Sequence, residues 1–328
     1  MTTPEYKELT LAEVRERLLV PSPTLVLFHA HPDGDAVGSA FALAMWLSQK
    51  GSSTYCVCAD EIPARLAFLT EGLQGCVLPA SIPAGFEGAR VITVDTASPS
   101  QLGALWELFG ERISLMIDHH GRGTRYADGI VQPCAATGEL IYDLIALDGT
   151  DMPPRCSELL YAAITTDTGG FRYSNTTPQT HLRAAALVEC GIDFAALNHR
   201  LLEMKSQKLL AAEHAGFERL HFYQNGRVAV LTFPYALKKS LELSDEHLET
   251  LVDVARRVEG VEVAVSIRQP SEESVFRASM RACVDFDVSA VCAKFGGGGH
   301  TRAAGATLTG FADIDKAEAA VVQALELK

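Results

Sequence analysis

Apolar runs that alternate with helix-patterned stretches predict an α/β fold, with a mainly parallel sheet flanked by helices in a first domain and a smaller α/β domain after it. Three observations carry this. Short apolar runs at residues 24–28, 54–59, 90–94 and 113–117 are separated by turns and helical periodicity, the signature of right-handed parallel crossovers. Three of those runs end in acids or histidines, at the carboxyl edge where open parallel sheets bind ligands. Beyond a long helix-patterned segment at 197–220, the chain changes character to alternating strands and glycine-rich turns. The expected division is therefore 1–195, a linker helix at 196–220, and 221–328.

In order, residues 11–19 space leucine and valine as a helix, and Pro21-Ser22-Pro23 ends it. The run 24–28 leads into His29-Ala30-His31-Pro32-Asp33-Gly34-Asp35, and 36–50 is an apolar helix with Gly51 as its C-terminal cap. The run 90–94 ends in Asp95; 102–109 is helical; 113–117 ends in Asp118-His119-His120. Helices are expected at 138–147 and 157–166, the latter ending in Asp167-Thr168-Gly169-Gly170, and at 181–190, stopped by Gly191. In the second domain 228–233 and 261–267 read as strands around a helix at 245–258. The stretch 275–283 alternates, with Arg277, Ser279 and Arg281 on one face and Phe276, Ala278 and Met280 on the other. A short helix at 288–294 precedes Gly296-Gly297-Gly298-Gly299-His300. Four glycines in a row cost backbone entropy and let N–H groups approach an anion closely.

Composition narrows the function. A chain of 328 residues with 48% hydrophobic residues can build two ordinary cores. A formal charge of −13 argues against a coat for long nucleic acid, but not against a small phosphorylated substrate held by local cations and metals. Eight scattered cysteines without a CxxC pair suggest a reducing, cytoplasmic setting. Neither a signal-peptide core nor a run near the ~20 residues of a membrane span is expected.

The chemistry gathers in His29, Asp33, Asp35, Asp95, His119, His120 and Asp167. Mixed imidazole and carboxylate donors suit a borderline divalent ion such as Mn, Fe, Co or Zn. Seven exceed what one ion needs, and are enough for a two-metal site in which one carboxylate bridges. Such a site activates water against phosphorus without a serine or cysteine nucleophile. His31, His181 and His199 lack a comparable setting and read as surface or packing residues.

These motifs resemble those of the DHH phosphoesterase superfamily. The run from His29 through Asp35, continuing Ala36-Val37-Gly38-Ser39, matches its first motif; Asp95 the second; Asp118-His119-His120 the third; Asp167 the fourth. The glycine run with His300, continuing Thr301-Arg302-Ala303-Ala304-Gly305, matches the DHH-associated second domain. The resemblance spans nearly the whole chain, and its layout is most similar to NrnA-type enzymes. It implies hydrolysis of short RNA oligonucleotides to mononucleotides and of adenosine 3′,5′-bisphosphate to AMP, with two divalent ions, usually manganese. The chain is short for a RecJ-type nuclease, and its glycine-rich ending does not suit the related inorganic pyrophosphatases. By motif position, His29, Asp33 and Asp95 would hold one ion, and Asp35, Asp95, His119 and Asp167 the other. His120 would face the scissile phosphate and Asp118 would orient a histidine. Substrate contacts would come from Ser279, Arg281, Gly297, Gly298, Gly299, His300 and Arg302. One departure is Ala282, where relatives often carry serine. The runner-up substrates are cyclic di-AMP and linear pApA; a silent nucleotide-binding module would have lost a ligand position, and none is lost. The expected partners are a short RNA or small nucleotide and a second copy of the chain, without long duplex nucleic acid or membrane.

Overall fold

The structure is a computed structural model and describes residues 6–73, 76–77, 82–121, 123–149 and 152–325. The chain divides between Met204 and Lys205 into two compact units. The first contains α1 (Leu11–Leu19), β1 (Thr24–Leu27), α2 (Gly34–Gln49), β2 (Thr54–Val57), β3 (Cys76–Val77), β4 (Arg90–Val94), α3 (Ala104–Phe109), β5 (Ile113–Asp118), β6 (Gly129–Val131), α4 (Thr137–Ala146), α5 (Pro154–Asp167), α6 (Pro178–Glu189) and α7 (Phe194–Asn198). The second contains α8 (Gln207–Phe217), β7 (Leu220–Tyr223), β8 (Val228–Phe233), α9 (Tyr235–Ser240), α10 (Glu246–Glu249), α11 (Leu251–Arg256), β9 (Val263–Arg268), β10 (Phe276–Ala282), α12 (Val288–Ala293), β11 (Gly298–His300), β12 (Ala303–Leu308) and α13 (Ile314–Ala324).

The first sheet runs β3-β2-β1-β4-β5-β6, and every pairing in it is parallel. Its central strands are apolar because both faces are covered. Along β1, Leu25 and Leu27 enter one apolar layer; Val26 and the following Phe28 enter the other, against α2, α4 and α5. The chain leaves β1 for β2 on one side and returns to β4 on the other. The crevice beyond the carboxyl ends of β1 and β4 is thus the topological switch point, where ligands sit in such sheets.

Two helices that frame this crevice are held unusually close. Small residues line α2, and a Cβ added at Gly38 would lie 2.3 Å from Leu159 O and 2.9 Å from Ala163 Cβ in α5. Glycine there sets the α2–α5 spacing, and with it the separation of Asp33 and Asp35 from Asp167.

The second sheet runs β11-β12-β10-β9-β8-β7; only β8 and β9 pair in parallel, so it is mixed. The outer face of β10 carries Arg277, Ser279 and Arg281, as its alternation predicts, while Phe276, Ala278, Met280 and Ala282 are buried.

The expected linker helix at 196–220 is not one helix. Helix α7 stops at Asn198, a π-helical turn covers His199–Glu203, and Met204 is extended. Ser206, also extended, then accepts the Leu209 N–H at 3.0 Å and starts α8 afresh, before β7 begins at Leu220. Leucine periodicity continued across the break, so it concealed the serine cap. The 245–258 helix is likewise split at Thr250; Leu248 of α10 joins Leu251 and Val254 of α11 in one apolar cluster, while Val252 and Ala255 of α11 enter another.

Overpacking at a glycine contact of this kind costs about 1–3 kcal/mol. Gly38→Ala should lower the urea midpoint of the first unit accordingly; a wild-type midpoint would show that the helices tolerate a wider spacing.

Candidate metal centre

Each ligand-type side chain is delivered by the end of a regular element. His29 lies just past β1. Asp33 caps α2, its Oδ1 accepting the N–H groups of Asp35 and Ala36 at 3.0 Å each. Asp95 follows β4 with a left-handed φ of 51°, a conformation uncommon outside glycine that is found at functional sites. Asp118 is the last residue of β5, and Asp167 the last of α5.

These residues converge as three groups of donors, each within 4.8 Å: His29 with Asp33 and Asp95; Asp35 with His119 and Asp167; Asp95 with His119 and His120. Asp95 links them through different oxygens. Its Oδ2 lies 3.5 Å from His29 Nε2, and its Oδ1 lies 3.5 Å from His119 Nε2. His119 Nε2 is also 3.6 Å from Asp167 Oδ2 and 3.9 Å from Asp35 Oδ2. Separations of this size are long for hydrogen bonds, and suit donors arranged around a cation at about 2.0–2.2 Å from each.

The ring nitrogens sort the histidines. His29 Nδ1 donates to Ala30 O at 2.8 Å and His119 Nδ1 to Cys134 O at 3.1 Å, which leaves each Nε2 lone pair for the cluster. In His120 it is Nδ1 that approaches Asp95, and this nitrogen already donates to Asp118 Oδ1 at 2.8 Å. His120 is therefore held by Asp118 with Nε2 uncommitted. The second Asp118 oxygen is buried without a hydrogen-bond partner among the described residues.

The electrostatics of the site follow from burial. Asp35, Asp95 and Asp118 are 0%, 2% and 1% exposed, so water cannot balance their charges. Burial and the charges of Asp95 and Asp167 push the Asp35 carboxyl well above its usual range, against three donors that favour the anion: Thr137 N, Gly138 N and Ser39 Oγ. Burial also raises Asp167, to about 7. Against desolvation, Asp33 and Asp95 hold His29 up at about 11, and the surrounding carboxylates hold His119 up at about 9. The Asp118 bond raises His120. A cluster that raises the proton affinity of its imidazoles attracts positive charge, and its donor set fits divalent metal.

The second unit brings a further group together. Arg281 and His300 both pair with Ala303, from opposite sides of β12, and Ser279 and Gly298 both pair with Gly305. Arg281 donates only to its own neighbour, Met280 O, at 3.0 Å. Arg277, His300 and Arg302 make no ion pair among the described residues. Two of the glycines have a packing reason: a Cβ at Gly297 would lie 2.2 Å from Gly305 O, and one at Gly299 2.6 Å from Ala303 O. Gly298 faces open space. His181 stacks on Phe171 and His199 pairs with Glu203, as packing and surface residues do. Sequence reading missed Thr137, whose hydroxyl donates to Asp95 Oδ1 at 3.0 Å, and Asn175, which donates to Ala135 O at 3.0 Å; neither carries a local sequence signal.

Residues 23–164 match the DHH family, N-terminal domain, and residues 225–327 match the DHHA1 domain. Over 324 residues the chain is 32% identical to the bifunctional oligoribonuclease and PAP phosphatase NrnA of Thermus thermophilus, covering 98% of this chain and 95% of that protein. The chain belongs to the DHH family. The NrnA of Bacillus subtilis is 26% identical, over 89% of this chain and 92% of its own. The fold matches the crystal structure of an exopolyphosphatase-related protein from Bacteroides fragilis, with a TM-score of 0.86 at 20% identity, covering 95% of this chain and 96% of that one. As a DHH phosphoesterase the chain is a metal-dependent hydrolase of phosphoester bonds. No helix among the described residues is long and apolar enough to cross a membrane.

Metal must displace the protons that the raised groups hold. His29 and His119 bind protons at neutral pH in the metal-free protein and must lose them to coordinate, so affinity should fall as pH falls and binding should release protons. Calorimetry in buffers of different ionisation enthalpy reads this directly; Mn2+ binding without proton release near pH 7 would contradict it.

Proposed function

We propose that the chain hydrolyses short RNA oligonucleotides to mononucleotides and adenosine 3′,5′-bisphosphate to AMP, using two divalent ions, manganese first among them. One observation carries the two-ion reading: one Asp95 oxygen faces His29, which groups with Asp33, and the other faces His119, which also groups with Asp35 and Asp167. The curated relatives that match nearly the whole chain bear this pair of activities in their name.

Two ions, when bound, supply an acidified water and neutralise phosphate charge. His29, Asp33 and Asp95 would hold one; Asp35, Asp95, His119 and Asp167 the other. The protein's own groups do the rest. Asp118 fixes the His120 ring and raises its proton affinity, so that Nε2 can give a proton to the departing ester oxygen as the phosphorus–oxygen bond breaks and water's oxygen takes its place. In the second unit Arg281 and Arg302, with His300, bind a phosphate that is not cut, beside Ser279 and the glycine N–H groups of Gly297, Gly298 and Gly299. The same reading places the enzyme in the cytoplasm, as a homodimer.

Assayed with Mn2+ on short RNAs, adenosine 3′,5′-bisphosphate, linear pApA and cyclic di-AMP, the protein should favour the first two. Oligonucleotides of about two to five residues should be preferred, because an acidic protein gains little from a longer phosphate chain. Faster turnover of cyclic di-AMP than of either would reverse the assignment. Asp95→Ala should cost more than about a hundredfold in rate on every substrate, since both donor sets lose a member. A variant keeping a tenth of the wild-type rate would remove Asp95 from the bridge.

Arg281→Ala should slow short-RNA hydrolysis at least about tenfold, the loss of one charge-assisted contact, and leave bis-p-nitrophenyl phosphate nearly unchanged. Equal losses on both would point to damage elsewhere.

A further inference from the structure

The segment 134–138, which leads from β6 into the first turn of α4, lies outside the candidate ligand set, yet it touches three of the ligands. The Cys134 carbonyl accepts His119 Nδ1 at 3.1 Å. The Thr137 and Gly138 N–H groups donate to the two oxygens of Asp35, at 2.6 and 2.9 Å. The Thr137 hydroxyl donates to Asp95 Oδ1 at 3.0 Å, the oxygen that faces His119. Its one thiol, Cys134, is occupied with Ala136 O at 3.1 Å.

The segment is itself clamped. Asn175 Nδ2 donates to Ala135 O at 3.0 Å and to Asp167 O at 3.1 Å, which brings a fourth ligand into the arrangement. Ala135 N donates to Glu139 Oε2 at 3.2 Å, and the same oxygen lies 3.7 Å from Arg183. Thr137 is fully buried, and its hydroxyl has no capping duty, because α4 starts at Thr137 and lacks a side-chain cap. A buried hydroxyl that serves only a carboxylate fixes the plane of that carboxylate and takes one of its lone pairs.

We propose that segment 134–138, clamped by Asn175, is the positioning frame of the metal centre. Thr137 sets the orientation of Asp95, and Asn175 ties the backbone of Asp167 to the same frame. This rests on reading the cluster as a metal centre, and it adds residues that act through the ligands they hold.

Partners in this position typically govern metal affinity by about 10–100-fold. The test is Mn2+ binding by the metal-free full-length protein, followed through the spin-resonance signal of the free ion. Thr137→Val keeps shape and loses the hydroxyl, and should bind Mn2+ about 10–100-fold more weakly. Thr137→Ser restores the hydroxyl and should stay within about threefold of wild type, well inside that range. Asn175→Ala should weaken binding by at least about tenfold while the metal-free thermal midpoint changes little. The proposal is overturned if Thr137→Val binds as wild type does, or if Thr137→Ser loses as much, which would make packing rather than the hydroxyl decisive. Should Thr137→Val not fold, Asn175→Ala decides alone, and wild-type affinity there overturns the frame. No substrate enters this measurement, so a wrong substrate class leaves the result standing. A wild-type protein that binds no Mn2+ overturns both the frame and the metal centre.

Discussion

Asp35, Asp95 and Asp118 are almost wholly shut off from water, and Asp33 and Asp167 complete an acidic set around them. Buried anions at such separations repel one another strongly in a low-dielectric interior. Positive charge must therefore be present. The carboxylates accordingly raise the proton affinity of His29 and His119, and divalent ions held by the same groups would supply that positive charge. A charge deficit held in place by the fold is what makes the crevice bind metal rather than collapse.

The fold holds that deficit by backbone means. The parallel sheet aims β1, β4 and β5 at one edge, and its strand order opens a crevice between β1 and β4. Glycine at position 38 lets α2 approach α5, so acids at the start of one helix meet an acid at the end of the other. The first N–H groups of α4 donate to Asp35 across the chain, using a helix terminus as anion support. None of these devices is itself chemical, and without them the ligands would not converge.

The second unit follows another logic. In a chain of formal charge −13, its β10 and β11 region presents arginines without acidic partners: among the described residues Arg277 and Arg302 make no ion pair, and Arg281 bonds only a backbone carbonyl. Unpartnered cations beside a floor of glycine and alanine suit an anion with a flat group attached, as nucleotides have. The glycine run that serves there is also a packing requirement, since Gly297 and Gly299 let β11 close onto β12.

The ligand types and their placement at strand ends were legible because strand periodicity and polar residues at apolar termini are local signals. His29, Asp33, Asp35, Asp95, His119 and Asp167 could be named from them, as could the alternation of Arg277, Ser279 and Arg281. The break at Met204 was not legible, because leucine spacing continues across it and only the Ser206 cap marks the new helix. Thr137 and Asn175 were not legible either. Their partners lie 42 residues away for Thr137 with Asp95, and 40 for Asn175 with Ala135, and a lone threonine or asparagine carries no sign of a distant contact. Sequence alone determined which residues could bind metal and that the ends of strands and helices would carry them. Tertiary structure decided which oxygen of Asp95 faces which donor set, and which neutral groups hold it there, because those choices depend on distances between segments that meet only when the sheet and its helices close.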